Sequence, residues 1–291
     1  MKVWFNGKII EEKDAKIPIK THTLHYGTGV FEGIRFYKAE KGTAIFMLKD
    51  HVDRLFNSAD ALSMDVPFSR SEIEKAVKEL IMVNKMEEGY IRPIIFYGEC
   101  LIVYPKNVSV NCAIILTDWE NVKEGLRVKI SKFRRINKDS TVFGAKISGN
   151  YANSVLAMED VRKNGYDEAL MLDENDMVSE GPIQNLFIVK DNLLITPSSR
   201  SGLLGITRST ILEIAKELNC TIIEKDLSLE EVKEADEAFF CGTGAEIVWI
   251  KSIDDIEISN EIGEVTKKIK EKYFDIIKGK YKKFEDWLDY I

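Results

Sequence analysis

Along this chain the spacing of apolar residues alternates between a period of two and a period near three and a half, and each change of period marks a new element. Val3 to Phe5 and Lys8 to Ile10 flank Asn6-Gly7, a dipeptide suited to a tight turn, which predicts an antiparallel hairpin at the start. Gly29 to Tyr37, returning along Ala44 to Leu48, predicts a second hairpin through Lys41-Gly42. Helical spacing then runs from Asp50 to Leu62 and from Ser71 to Lys85, where Ser71-Glu72-Ile73-Glu74 has the form of a capping box. Two β-type runs follow, Tyr90 to Tyr97 and Val108 to Thr117.

The segment 118–125 is charged and poor in core residues, so a domain boundary is expected there. Beyond it, strands at Arg127 to Lys132 and Glu168 to Leu172 bracket a helix from Tyr151 to Asn164. Leu186 to Val189 should pair with Leu193 to Thr196 across Asp191-Asn192, ahead of a helix from Thr207 to Leu218 and a strand from Thr221 to Glu224. A strand at Glu237 to Cys241, a hairpin around Ser252 to Asp255 and two polar helices complete the reading. No internal repeat is found. Hairpins mixed with helices predict an α+β architecture rather than a doubly wound sheet, divided into 1–117, an interdomain loop at 118–125, and 126–291.

Composition narrows the function. A chain of 291 residues with 45% hydrophobic and 31% charged residues can bury a sizeable core. The net charge of −7 argues against a broad nucleic-acid footprint, which needs an excess of Lys and Arg to displace counterions, and favours small-molecule partners. The lysines from Lys278 to Lys283 read as a solvated helix face. Cys100, Cys112, Cys220 and Cys241 lack both zinc spacing and a secreted disulfide pattern, and no apolar run approaches the ~20 residues that cross a bilayer, so a cytoplasmic protein is expected. His22, His25 and His51 lack metal-ligand spacing, and no metal is expected.

Candidate chemistry lies in a few small-residue runs. Lys146 sits in Gly144-Ala-Lys-Ile-Ser-Gly149, where small residues would let a flat ligand approach the backbone. A lone loop lysine is ordinarily a solvated charge; an amine becomes a Schiff-base nucleophile only where burial or a neighbouring cation destabilises its ammonium. Gly202-Leu-Leu-Gly205-Ile206-Thr207-Arg208 runs into an amphipathic helix whose free N–H groups suit an oxyanion, and Gly242-Thr243-Gly244-Ala245 forms a second such turn. Glu180, in a turn punctuated by Gly181 and Pro182, needs a cationic partner if it points inward, and a protonated pyridine nitrogen is chemically apt. Gly27-Thr28-Gly29-Val30-Phe31-Glu32-Gly33 has its last glycine one residue late for a dinucleotide loop and no βαβ context.

Taken in order, these runs resemble the fold type IV pyridoxal phosphate enzymes, and within them the branched-chain amino acid aminotransferases. The resemblance extends from Trp4 to about Ile256 and rests on Trp4-Phe5-Asn6-Gly7, Leu24-His25-Tyr26-Gly27 through Arg35, His51-Val-Asp-Arg54-Leu55, Tyr90-Ile91-Arg92-Pro93, Ala145-Lys146 with Gly149-Asn150-Tyr151, Ser179-Glu180-Gly181 with Asn185-Leu186-Phe187, Gly205-Ile206-Thr207-Arg208 and Gly242-Thr243. It implies a two-domain fold with a small N-terminal and a larger β-rich cofactor-binding domain, and pyridoxal 5'-phosphate as cofactor. Lys146 would carry the cofactor and shuttle the proton, Tyr151 would touch its phenolic oxygen, and Glu180 would pair with its pyridine nitrogen. Arg54, Ile206, Thr207 and Thr243 would hold the phosphate, and Gly205 and Gly242 would also bind the cofactor. Tyr90 and Arg92 would receive carboxylates, and Tyr26, Phe31, Arg35, Thr243, Gly244 and Ala245 would complete the substrate side, with Tyr26 contributed across a homodimer interface.

The implied reaction is ping-pong amino transfer between leucine, isoleucine or valine and 2-oxoglutarate. A D-amino acid aminotransferase, an aminodeoxychorismate lyase and a catalytically silent binding protein stand as alternatives. Four stretches depart from the family pattern: Cys100 to Tyr104, Trp119 to Gly125, Leu204 before Gly205, and Pro182-Ile183-Gln184. The first two border the substrate side chain in the family.

Overall fold

In the computed structural model the described residues are 1–120, 123–198 and 202–291. They form two compact units: Met1–Trp119 with Ala145–Asn150 and Asp275–Ile291, and Glu120–Gly144 with Tyr151–Phe274. Residues 121 and 122 of the expected interdomain loop lie outside the described residues. The expected division at 118–125 assigned 145–150 and 275–291 elsewhere. Sheet pairing accounts for the difference: Ile147 bridges Val30, and the C-terminal strand Leu288–Tyr290 pairs with residues 44–46. Neither pairing is local in sequence, so no linear pattern announces it.

In the first unit, β1 (Lys2–Phe5) and β2 (Lys8–Glu11) form the expected hairpin, with Asn6 and Gly7 both at positive φ. There follow α1 (His22–Tyr26), β3 (Gly29–Phe31), β4 (Ile34–Ala39), β5 (Gly42–Phe46), α2 (Leu48–Ala61), α3 (Arg70–Asn84), β6 (Gly89–Tyr97) and β7 (Val110–Thr117). The antiparallel sheet runs from the C-terminal strand through β5, β4, β6, β7 and β1 to β2, with β3 also on β6. Leu48, Val52, Leu55 and Ala59 of α2 and Ile73, Val77 and Leu80 of α3, spaced at helical intervals, bury against Val30, Ile34, Phe36, Ile45 and Ile91 of the strands.

The capping box of α3 falls two residues before the expected one. Ser69 Oγ accepts from Glu72 N, and Glu72 Oε2 accepts from Ser69 N at 2.7 Å. Phe68 packs edge-on against Trp4 and joins Ile73 in the core, a hydrophobic staple that sets where the chain enters the helix.

The second unit comprises β8 (Leu126–Ile130), α4 (Tyr151–Arg162), β9 (Glu168–Leu172), β10 (Val178–Glu180), β11 (Asn185–Lys190), β12 (Leu193–Pro197), α5 (Ile206–Glu217), β13 (Thr221–Lys225), α6 (Leu229–Lys233), β14 (Glu237–Gly242), β15 (Glu246–Ile253), β16 (Ile256–Glu257) and α7 (Glu264–Ile277). Its sheet runs β10-β9-β8-β15-β14-β11-β12-β13, mixing parallel pairs (β8 with β9 and β15, β12 with β13) with antiparallel ones. Strands β9, β11, β12 and β14 are buried along most of their length, β9 at every residue, and read as near-continuous apolar runs because both of their faces are covered. Only one of the two expected terminal helices is an α-helix; Lys282–Trp287 is 3-10 and ends in the C-terminal strand. No helix among the described residues is long and apolar enough to cross a membrane.

Candidate active site

Lys146 owes its position to backbone contacts within the first unit. Its N–H donates to Ser58 Oγ at 2.9 Å, its carbonyl accepts from Phe31 N at 3.2 Å, and Gly149 N donates to Gly27 O at 3.0 Å. A Cβ on Gly27, which sits at φ +67°, would meet Gly149 Cα at 2.7 Å. The small residues around Lys146 therefore serve, at Gly149, a close approach of two backbones. Gly144, by contrast, faces open space.

Lys146 Nζ lies 5.2 Å from the centre of the Phe31 ring, and the Arg92 guanidinium lies 4.6 Å from the same ring. Register explains the company. Phe31 pairs with Ile94 and Arg35 with Tyr90, and residues 90, 92 and 94 alternate onto one face of β6, so Phe31, Arg35, Tyr90 and Arg92 share that face. Arg92 Nη2 donates to Tyr90 Oη at 2.8 Å, Tyr90 stacks on Trp119 at 4.3 Å, and Arg35 lies over Tyr37 and Trp119. Alternating cations and rings form one wall, each contact contributing about 0.5–1 kcal/mol where exposed. Arg92 Nε is buried with no hydrogen-bond partner among the described residues. Gly33, the glycine that spoiled the dinucleotide pattern, is required because its Cβ would overlap Tyr90 Oη at 1.9 Å.

Arg54 is held by a buried carboxylate. Its Nε donates to Glu32 Oε1 at 2.6 Å and its Nη2 to Oε2 at 2.8 Å, while His51 Nδ1 lies 2.7 Å from Oε2. Burial opposes the charge on Glu32, but Arg54 and His51 outweigh it and hold the carboxyl far below the usual carboxylate range. Burial also pushes the His51 imidazole below its ordinary value, against the pull of Glu32. Neither Glu32 nor His51 was a predicted site residue. Their signal was the i, i+3 spacing of His51 and Arg54 on one helical face, legible only once a third residue is known to meet that face.

Tyr26 stands apart from this wall. Its hydroxyl donates to Leu101 O at 2.9 Å, and its ring lies beside His22 and His25. Buried His22 in turn contacts Thr28 Oγ1 and the carbonyls of Ile102 and Val103, so the atypical 100–104 stretch is fastened to α1.

In the second unit, Glu180 ends a strand rather than occupying a turn, and it is 3% exposed. Arg135 Nε pairs with its Oε1 at 2.6 Å; Asn185 Nδ2 and Leu203 N each donate to its Oε2 at 3.1 Å. Asn185 Nδ2 also reaches Leu203 O at 3.0 Å. This ties the carboxylate to the turn that opens α5. Gly205 caps α5 without a side-chain hydrogen bond, and a Cβ there would meet Asn185 Oδ1 at 2.0 Å. Asn185 also pairs across the sheet with Cys241, the residue before Gly242-Thr243-Gly244-Ala245. Arg208 instead bonds Glu224 Oε2 and Pro197 O, anchoring α5 to its sheet. Tyr151 is the first residue of α4. Arg135 and Asn185 have no role among the predicted site residues; distance in sequence concealed the first.

Sequence reading also missed a buried acid in this unit. Glu168 accepts from Gln184 Nε2 at 3.1 Å, and burial pushes its carboxyl up to about 7. Gln184 Oε1 is buried without a hydrogen-bond partner among the described residues. Among the described residues no group of three or more His, Cys, Asp or Glu is placed to hold a metal ion.

Residues 29–253 match the family model described as amino-transferase class IV. A branched-chain-amino-acid aminotransferase of Pseudomonas aeruginosa is 41% identical over 98% of this chain and 95% of its own length. The solved branched-chain aminotransferase of Thermoproteus uzoniensis, with norvaline, superposes with a TM-score of 0.96 at 38% identity, covering 99% of this chain and 98% of that one. The branched-chain amino acid aminotransferase of Thermobaculum terrenum, solved in its PLP form, does so with a TM-score of 0.94 at 31% identity, covering 99% of this chain and 97% of that one. With its motifs, fold and near-complete coverage agreeing, the chain belongs to the class IV aminotransferases, a pyridoxal phosphate-dependent family, as a branched-chain amino acid aminotransferase.

Proposed function

We propose that this transaminase moves the amino group between leucine, isoleucine or valine and 2-oxoglutarate through the residues its motifs single out. The observation that carries the reading is the Phe31 ring shared by the Lys146 amine and the Arg92 guanidinium. A base for the substrate Cα and a cation for a carboxylate thus stand on one apolar wall, as an α-amino acid requires. When bound, pyridoxal phosphate would supply the carbonyl carbon that carries the amino group and the electron sink for charge developing at the substrate Cα. Lys146 holds the cofactor and, once displaced, moves the proton at the substrate Cα. Glu180, fixed in place by Arg135, pairs with the ring nitrogen, and Tyr151 meets the phenolic oxygen.

The donor set fits a phosphate. The N-terminus of α5 at Gly205, Ile206 and Thr207 lacks a side-chain cap and offers backbone N–H groups, and Gly205 lets the turn close on the Asn185 amide. Gly242 and Thr243 of the same unit, and Arg54 on its motif alone, are proposed as further phosphate ligands. Arg92 and Tyr90 receive the carboxylate of glutamate or 2-oxoglutarate, and Tyr26, Phe31, Arg35, Thr243, Gly244 and Ala245 line the substrate side.

A second copy of the chain is the proposed partner. Support comes from the exposed apolar residues Leu24, Leu101, Ile102, Val103 and Tyr104, and from a groove of about 430 Å³ edged by Leu24, Ile17, Phe96 and Ile115. Light scattering should return twice the chain mass. A cytoplasmic site of action and functional domains that follow the expected 1–117 and 126–291 halves except at 145–150 and 275–291 are part of the same reading.

The test of substrate is spectroscopic. L-leucine and L-glutamate should each bleach the visible absorption of the cofactor-bound chain, D-leucine should not, and Lys146→Ala should lose turnover by about 10²–10⁴-fold, the range for a proton-transferring group. Bleaching by D-leucine alone would sink the assignment.

A further inference from the structure

The Glu32, His51 and Arg54 cluster has no part in the roles above beyond Arg54 itself, yet it places charge deep inside the first unit. Glu32 is fully buried and His51 is 1% exposed, while Arg54 keeps 16% of its side chain accessible. The carboxylate accepts from Arg54 Nε, Arg54 Nη2, His51 Nδ1 and, at 3.3 Å, Gly33 N. Such a carboxylate is fully satisfied, and a bidentate grip on Nε and Nη2 sets the plane of the guanidinium as well as its place. His51 and Arg54 come from one face of α2, and Ser58, one turn on, links Arg54 O to Lys146 N. The arrangement orients the cation relative to the lysine segment through short, buried contacts. A cluster meant for stability alone gains little from a buried ion pair, because desolvating the charges offsets their attraction.

We propose that Glu32 and His51 are positioning residues for the cofactor's phosphate: Glu32 aims the Arg54 guanidinium, and His51, donating from Nδ1, keeps the Glu32 carboxylate aimed. The proposal rests on Arg54 being a phosphate ligand. Its consequence is selective. Removing Glu32 weakens recognition of the phosphate and leaves recognition of the pyridine ring untouched.

The full-length chain, stripped of cofactor, is titrated with pyridoxal phosphate and with pyridoxal, which lacks the phosphate. Glu32→Gln should raise the Kd for pyridoxal phosphate at least about tenfold, the scale seen when an outer partner orienting a ligand group is lost, while the Kd for pyridoxal stays within about twofold. His51→Leu should shift the ratio of the two affinities in the same direction, and His51→Asn, which keeps a donor near Nδ1, should restore most of it. Equal weakening of both ligands, or of neither, by Glu32→Gln overturns the proposal. If that variant does not fold, Glu32→Asp, which keeps the charge but withdraws it by one methylene, must show the same selective loss. Arg54→Lys separates the two layers. If it leaves the ratio at the wild-type value, Arg54 does not read the phosphate and the proposal falls with that reading; if it abolishes the ratio while Glu32→Gln does not, only the positioning roles fall.

Discussion

Glu168 illustrates how one side chain can make stability depend on pH. Burial raises its carboxyl to about 7, so the folded chain holds a proton that the unfolded chain releases near the ordinary value of 4.5. The folded state then binds more protons between these values, and the group's contribution to stability is complete below about pH 4.5 and lost as pH rises through 7. Each pH step of one between the two values removes about 1.4 kcal/mol, so the loss is on the order of 3 kcal/mol by about pH 8. Glu168→Gln, which is neutral at every pH, should therefore gain about 3 kcal/mol relative to the wild-type chain in denaturant between about pH 4, where both are neutral, and about pH 8. A constant difference between the two conditions would refute the account. Glu180 is the contrasting case, a buried acid that has its cation, Arg135, at 2.6 Å.

Helix α3 shows how element boundaries are decided. Two serines each precede a glutamate by three residues, Ser69 before Glu72 and Ser71 before Glu74, so the local pattern permits two capping boxes. Packing of Phe68 on Trp4 selects the first. Ser69→Ala should lower stability by about 1 kcal/mol, as loss of an N-cap does, and Ser71→Ala by no more than a few tenths. Equal effects in thermal unfolding would place the cap elsewhere. Glycines of the first unit follow the same logic: Gly27 is needed because the Gly149 backbone lies against it, and Gly33 because the Tyr90 hydroxyl does.

For the whole molecule, the C-terminal segment completes a sheet begun near the start of the chain. Leu288, Asp289 and Tyr290 pair with Phe46, Ile45 and Ala44, Ile291 N donates to Thr43 O, and Asp289 meets Lys78 at 2.8 Å. Deleting 288–291 should unpair the edge of β5 and expose the Leu288 contact, costing about 2–3 kcal/mol for the buried leucine alone. The readout is a lower Tm and faster proteolysis between β4 and β5. An unchanged Tm would mean that the tail only decorates the sheet.

Fold class and cofactor were legible in chain order, because hairpin turns, helical periods and small-residue motifs are local. Asn6-Gly7, the 3.6-residue spacing of α2 and the ordered run of motifs needed no tertiary contact to be read. Which charges meet was settled only by folding. Arg54 on Glu32, Arg135 on Glu180, the 145–150 segment on β3 and the tail on β5 all join residues far apart in sequence. A buried charge must find its counterion wherever folding delivers one, and no periodicity in the chain records where that will be.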